Sequence, residues 1–139
     1  MLLLDTHVWI WSVDEGERRV GRRTRQLLLR AESHDDIRIS PATVFEVTAL
    51  HTAGRLRLAY PVERWIRQAL EVAGVRIAEL SPAIAIDAGS IPPSALSDPM
   101  DRLLVATARH FDATFMTSDT RILDYASDTG NVRAHDASR

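Results

Sequence analysis

Two aspartates stand directly after short apolar runs that have the length of buried strands. Asp5 follows LLL (2–4), and Asp119 follows FMTS (115–118). In a parallel sheet the carboxyl ends of the strands meet at one edge, where the binding crevice of such proteins lies. Both residues are therefore candidates for chemistry. Each also suits the N-cap of a following helix, and this structural alternative stays open at this point.

Three further acids belong to predicted helices. Asp98 and Asp101 flank Pro99 at the start of an apolar helix, and Glu46 lies nearly two turns into the helix that follows IRIS (37–40). Around Glu46, at positions i−4, i+3 and i+7, stand the small residues Ala42, Ala49 and Ala53. Such a stripe lets other backbone approach a carboxylate closely, which a purely solvated acid would not need.

Carboxylates gathered in one cleft repel each other and raise one another's pKa unless a cation neutralises them. The chain has no cysteine and no pair of histidines at metal-ligand spacing, so hard oxygen ligands favour Mg²⁺ or Mn²⁺ over zinc. An ion held in this way activates water and stabilises the charge of a phosphoryl group during in-line displacement. The acids thus predict metal-dependent hydrolysis of phosphodiesters.

The start of the helix at Pro99 separates the roles of its two acids. Asp98 fits the N-cap, Pro99 the first helical position and Asp101 the third, where a carboxylate favours the helix dipole. Asp101 also flanks the apolar face that would pack on the sheet, on the side of Asp5. We therefore expect Asp101 to be a metal ligand and Asp98 to be a weaker candidate.

Short strands alternate with helices along the whole chain. The periodicity predicts strands at 2–4, 37–40, 75–80, 113–118 and 131–135. It predicts a first helix that opens with THVWIW (6–11) and further helices over 17–33, 41–53, 62–73, 81–89, 99–111 and 120–126. This alternation is typical of an α/β fold with a central, mostly parallel sheet and helices on both faces.

Length and composition fit one ordinary globular domain over residues 1–139, with the last few residues as the part least expected to be ordered. No apolar stretch is long enough to cross a membrane and the N-terminus MLLLD is too short for a signal peptide, so we expect a cytoplasmic protein. All 17 basic residues are arginine, and six of them lie in ERRVGRRTRQLLLR (17–30). They predict either a solvated helix face or contacts to an RNA backbone.

The segments MLLLDTHVWIW, ISPATVFEVTALHTAGRL, DPMDRLLVATA and TSDTRILDY resemble the PIN domain, and most closely the toxin ribonucleases of VapBC toxin–antitoxin modules. The resemblance covers nearly the whole chain in order. It implies a three-layer α/β/α sandwich and an endoribonuclease that depends on Mg²⁺ or Mn²⁺. It also implies an RNA substrate, a cognate antitoxin protein, a homodimer and no association with membranes.

The resemblance assigns roles by motif position. It implies an acidic quartet that is both catalytic and metal-binding, formed by Asp5, Glu46, Asp101 and Asp119. Thr6, Ser40 and Thr117 resemble hydroxyl residues that orient these acids, and Arg102 is expected to contact phosphate or to pair with an acid. The chain departs from its close relatives at SALS (94–97), where they carry a histidine.

Two other functions remain open at this stage. One is a PIN nuclease with a housekeeping role in RNA processing, which the sequence does not distinguish from a toxin. The other is a phosphatase or phospho-acceptor domain with an acidic pocket. It fits poorly, since His7 stands where such a phosphatase has a second aspartate and no lysine is present for a receiver domain.

Overall fold

The computed structural model describes residues 1–14 and 19–139 of the chain. Its strands are β1 (Leu2–Leu4), β2 (Ile37–Ile39), β3 (Val75–Ile77), β4 (Thr114–Thr117) and β5 (Ala134–Asp136). Its helices are α1 (Thr6–Val13), α2 (Arg22–Glu32), α3 (Pro41–Thr52), α4 (Val62–Leu70), α5 (Pro82–Ser90), α6 (Pro99–His110) and α7 (Thr120–Thr129). None of the helices in these residues is long and apolar enough to cross a membrane.

The strands form one parallel sheet in the order β3-β2-β1-β4-β5. The chain therefore extends the sheet from β1 in one direction, through β2 and β3, and then returns to continue on the other side with β4 and β5. The order reverses between β1 and β4. In open α/β sheets a crevice forms beyond the carboxyl ends of the strands at such a reversal.

Both faces of the sheet are covered, as a three-layer sandwich requires. Leu2 and Leu4 of β1 belong to one apolar cluster, together with Trp9, Ile39 and Trp65. Leu3 points into a second cluster, which includes Leu104, Phe115 and Ile122. Successive side chains of a strand point to opposite faces, so an apolar run such as LLL marks a strand that is buried on both.

Three of the predicted helix starts are confirmed by their caps. Ser40 accepts a hydrogen bond from the backbone of Ala42 at 3.0 Å and Ser81 accepts one from Ile84 at 3.2 Å, each followed by a proline in the first turn. Asp98 accepts from Met100 at 2.9 Å, as predicted for the N-cap of α6. A short polar side chain before a proline thus identified each boundary.

Three helix limits differ from the prediction by more than one residue. The helix expected at 17–33 begins only at Arg22; positions 17 and 18 lie outside the described residues, and Gly21 is its N-cap. A side chain at position 21 would collide with the backbone of Arg139, so contacts distant in sequence determine this start. The helix expected to reach residue 73 ends at Leu70, and the one expected to end at 126 continues to Thr129.

Two strands also differ from the prediction by more than one residue. The strand expected at 75–80 ends at Ile77, and the strand expected at 131–135 lies at Ala134–Asp136. Val132 is buried in the core before the strand begins, which explains why an apolar residue there suggested an earlier start. After β5 the chain packs against α2, where the Arg139 carbonyl accepts a hydrogen bond from the backbone of Thr24 at 2.9 Å.

Candidate active site

Asp5 is held at the carboxyl end of β1 by both of its oxygens. Its Oδ1 accepts a hydrogen bond from the backbone N–H of Thr6 at 2.8 Å, which makes it the N-cap of α1. Its Oδ2 accepts one from the hydroxyl of Thr117 at 2.6 Å. Burial raises the pKa of this carboxyl, and the hydrogen bond from Thr117 opposes that change. The N-cap and functional interpretations of Asp5 are therefore compatible.

Asp119 lies at the end of the neighbouring strand and shares a partner with Asp5. Its backbone N–H donates to the Thr117 hydroxyl oxygen at 3.0 Å, so this single hydroxyl connects both acids. The carboxylate caps α7 by accepting from the backbone of Arg121 at 2.9 Å. The Arg121 side chain also donates to it, and this hydrogen bonding holds the pKa of the Asp119 carboxyl below its ordinary value.

Asp101 has the most altered acidity of the described acids. Burial, followed by repulsion from Asp98, Asp5 and Asp119, raises the pKa of its carboxyl to about 7. Repulsion between carboxylates adds to the effect of burial only when the groups are close and partly shielded from water. Asp5, Asp101 and Asp119 therefore belong to one electrostatic cluster at the reversal of the sheet, with Asp98 beside them.

Glu46 takes a separate position. It is half-buried on α3, and its side chain forms no hydrogen bond or ion pair with the residues at 1–14 and 19–139. Glu46 is not among the main charges that shift the pKa values of the three clustered aspartates. Of its small neighbours only Ala42 is buried, whereas Ala49 and Ala53 are exposed. Within the described residues, the expected close approach of other backbone is thus absent from that part of the stripe.

The hydroxyl residues behave differently from one another. Thr117 donates to the Asp5 carboxylate and accepts from the backbone N–H of Asp119. Ser40 is fully buried and caps the helix that carries Glu46 through Ala42, a contact to backbone rather than to a carboxylate. Thr6 contacts Asp5 through its backbone, while its buried hydroxyl has no partner among the described residues.

Arg102 follows Asp101 but does not pair with an acid within the described chain. Its Nε is buried and has no hydrogen-bond partner there. The side chain borders a shallow cavity of about 220 Å³ with Ala85, Ala88 and Gly89 of α5.

The sequence analysis did not identify Arg121 as a functional residue. Its position could have indicated a role outside helix stability, because a cation in the first turn of a helix is unfavourable for the helix dipole.

The donor chemistry fits a hard divalent cation, since the clustered groups are carboxylates and repulsion among them adds to burial in raising the pKa of Asp5 and Asp101. The positions of these side chains, however, do not form a complete metal-binding site. Among the described histidines, aspartates and glutamates, no group of three converges closely enough to enclose an ion. Both oxygens of Asp119 accept hydrogen bonds from the Arg121 side chain, so this guanidinium would compete with a bound ion for them.

Comparison with known proteins identifies the family. The family model of the PIN domain matches residues 2–128. The chain belongs to the PIN-domain family. Ribonuclease VapC22 of Mycobacterium tuberculosis is 33% identical to this PIN domain over 121 residues, which are 87% of the chain and 88% of that protein.

Solved structures share the fold of this PIN domain. VapBC2 from Rickettsia felis, bound to a DNA fragment from its promoter, has a TM-score of 0.66 at 14% identity, with 96% of each chain covered. VapBC from Salmonella typhimurium, also bound to DNA, has a TM-score of 0.66 at 18% identity and the same coverage. FitAcB from Neisseria gonorrhoeae has a TM-score of 0.60 at 25% identity, with 96% of each chain covered.

Proposed function

We propose that this PIN domain is a metal-dependent endoribonuclease that acts as the toxin of a toxin–antitoxin pair in the cytoplasm. The observation that carries the proposal is the cluster of Asp5, Asp101 and Asp119 at the reversal of the sheet, in which the Thr117 hydroxyl connects Asp5 with Asp119. The 33% identity with Ribonuclease VapC22 supports RNA as the substrate, and the likeness to the solved VapBC and FitAcB structures supports an antitoxin as the partner.

In this proposal Asp5, Asp101, Asp119 and Glu46 hold Mg²⁺ or Mn²⁺, and Asp98 is a weaker additional ligand. When bound, the ion supplies an activated water and stabilises charge on the phosphate. The protein's own part is orientation. Thr117 and the backbone of Thr6 fix both oxygens of Asp5, so little freedom is lost when a cation approaches this carboxylate.

Asp101 adds a proton-linked step. With a pKa of about 7, its carboxyl is partly protonated near neutral pH, and it must lose that proton before it binds a cation. Glu46 lies on α3 and makes no hydrogen bond or ion pair with the other acids in the described residues. We propose that its carboxylate joins theirs as a ligand when the ion is bound.

The proposal is tested by RNA cleavage with the purified chain. Cleavage should stop in excess EDTA and return with Mg²⁺ or Mn²⁺, and Glu46→Gln should fold normally but lose most activity. Undiminished cleavage in EDTA would refute the metal mechanism. Expression should also arrest growth, with rescue by the product of the adjacent gene, whereas harmless expression of an active nuclease would favour the housekeeping role.

A further inference from the structure

Arg121 occupies both carboxylate oxygens of Asp119. Its Nη2 lies 2.9 Å from Oδ2, and its Nε lies 3.3 Å from Oδ1. The backbone N–H of Arg121 donates to the same Oδ1 at 2.9 Å. One residue thus supplies every side-chain cation contact that Asp119 makes within the described chain.

Helix stability does not explain an arginine at this position. It stands in the first turn of α7, and this turn contains no acidic residue after the cap. A cation at this position opposes the helix dipole. The side chain is 68% exposed, so it does not fill the core. Its charge reaches further acids, because Asp101 and Asp98, after Asp119 itself, raise the pKa of the guanidinium.

We propose that Arg121 is the resident counter-cation of the acidic cluster, which a divalent ion displaces from Asp119 and which then contacts the phosphate of the bound RNA. This inference rests on the proposed function. It follows from competition, since Asp119 cannot direct both oxygens at the guanidinium and also converge with Asp5 and Asp101. The released guanidinium remains two residues from the metal ligand, and its planar fork suits a phosphate.

Competition predicts a specific effect on metal affinity. Arg121→Gln keeps the backbone N–H that caps α7 but removes the cation. Because an ion pair this exposed is weak, the variant should bind Mn²⁺ only about two- to fivefold more tightly than the parent. Arg121→Lys should lie between the two, since an ammonium keeps the charge but cannot make both contacts. Electron paramagnetic resonance of free Mn²⁺ measures these affinities without any reaction.

Arg133→Gln is the matched control. Arg133 makes an ion pair of the same 2.9 Å length with Asp112, but these residues precede β5 and β4 and therefore lie at the opposite edge of the sheet. This variant should bind Mn²⁺ like the parent. At saturating Mn²⁺, Arg121→Gln should raise the KM for RNA a few-fold, whereas Arg133→Gln should leave it unchanged.

The outcomes separate this inference from the proposed function. Equal Mn²⁺ affinity of the parent and Arg121→Gln would overturn the inference, while metal-dependent cleavage by the parent would leave the proposed function intact. Tighter Mn²⁺ binding with an unchanged KM would overturn the phosphate contact. A parent chain that binds no Mn²⁺ would overturn both the inference and the proposed function.

Discussion

The Thr117 hydroxyl joins two acids that come from different strands, so its loss should affect catalysis more than folding. Thr117→Val keeps the shape but removes the donor to Asp5 and the acceptor for the Asp119 backbone. We expect a loss of stability of about 1–3 kcal/mol and a much larger proportional loss of RNA cleavage. Thermal melting and cleavage measured on the same preparation test this.

Thr107→Val is the control for that substitution. Thr107 is equally buried, but its hydroxyl donates to the backbone carbonyl of Leu103 within α6. It should therefore keep its activity even if it loses some stability. A loss of activity in Thr107→Val equal to that in Thr117→Val would contradict the orienting role of Thr117.

The acidity of Asp101 predicts how the metal-free protein responds to pH. Its folded pKa of about 7 lies above the ordinary value of 3.8, so the folded state binds the proton more tightly than the unfolded state does. That contribution to stability is complete at low pH and is lost as the pH rises towards and through 7. In EDTA, the parent should melt at a lower temperature at pH 8 than at pH 5.5.

Asp101→Asn should weaken this dependence and raise the melting temperature at pH 8, although it should abolish metal-dependent cleavage. Asp98→Ala should instead cost about 1 kcal/mol through the lost N-cap and retain more activity. If Asp98→Ala proves to be the inactive enzyme and Asp101→Asn the active one, the assignment of the metal ligand is wrong.

At the scale of single residues, the sequence predicted positions better than it predicted contacts. Asp5 and Asp119 follow buried strands, and this alone brings them to one edge of a parallel sheet. The role of Arg121 depends instead on which oxygens its guanidinium reaches, and the periodicity of the sequence does not indicate the direction of a single exposed side chain. Arg102 stands out in the sequence only because it follows Asp101 in the motif.

Elements were predictable wherever local chemistry decides their limits. Asp98-Pro99 and Ser40-Pro41 begin helices because a polar cap and a proline suffice to start one. The start of α2 was not predictable, because Gly21 is constrained by residues 137–139, more than a hundred positions later. The displaced strand β5 has the same origin, since its pairing with β4 determines its register.

The packing of α2 also gives its arginines a testable role. Thr24 contacts the residues that follow β5, and the backbone N–H of Ala137 donates to the carbonyl of Thr117 at 2.8 Å. The first turn of α2 therefore lies at the same sheet edge as the acidic cluster, with Arg22 and Arg23 exposed on it. Arg30 is exposed in the last turn, about 12 Å further along the helix axis.

We expect the double substitution of Arg22 and Arg23 by Gln to raise the KM for single-stranded RNA. The slope of the logarithm of the RNA-binding constant against the logarithm of the salt concentration should also become shallower by about 0.7 for each phosphate that the variant no longer neutralises. Arg30→Gln removes the same kind of charge from the other end of α2 and should have little effect. Identical effects of all three charges would indicate long-range attraction rather than direct binding at this edge.

At the scale of the whole molecule, α3 carries an apolar face that a single chain leaves uncovered. Phe45 is 65% exposed, and Ala49 and Ala53, one and two turns further on, are exposed too. A large aromatic beside small residues is typical of a surface that another helix covers, since small side chains allow close approach. Of the small residues around Glu46, Ala49 and Ala53 therefore point away from the core, whereas Ala42 is buried in it.

A second copy of the chain is the partner that we predict for this face. Two α3 helices related by a two-fold axis would each cover the other's Phe45 with alanines, which is how a symmetric contact satisfies both chains at once. Light scattering coupled to size-exclusion chromatography should give twice the mass of one chain for the parent and the mass of one chain for Phe45→Asp. Leu29→Asp, on α2 with 68% exposure, should remain a dimer. A monomeric parent would refute the prediction.

Because Glu46 adjoins Phe45, a loss of cleavage in the folded Phe45→Asp monomer would indicate that dimerisation positions the fourth acid, Glu46.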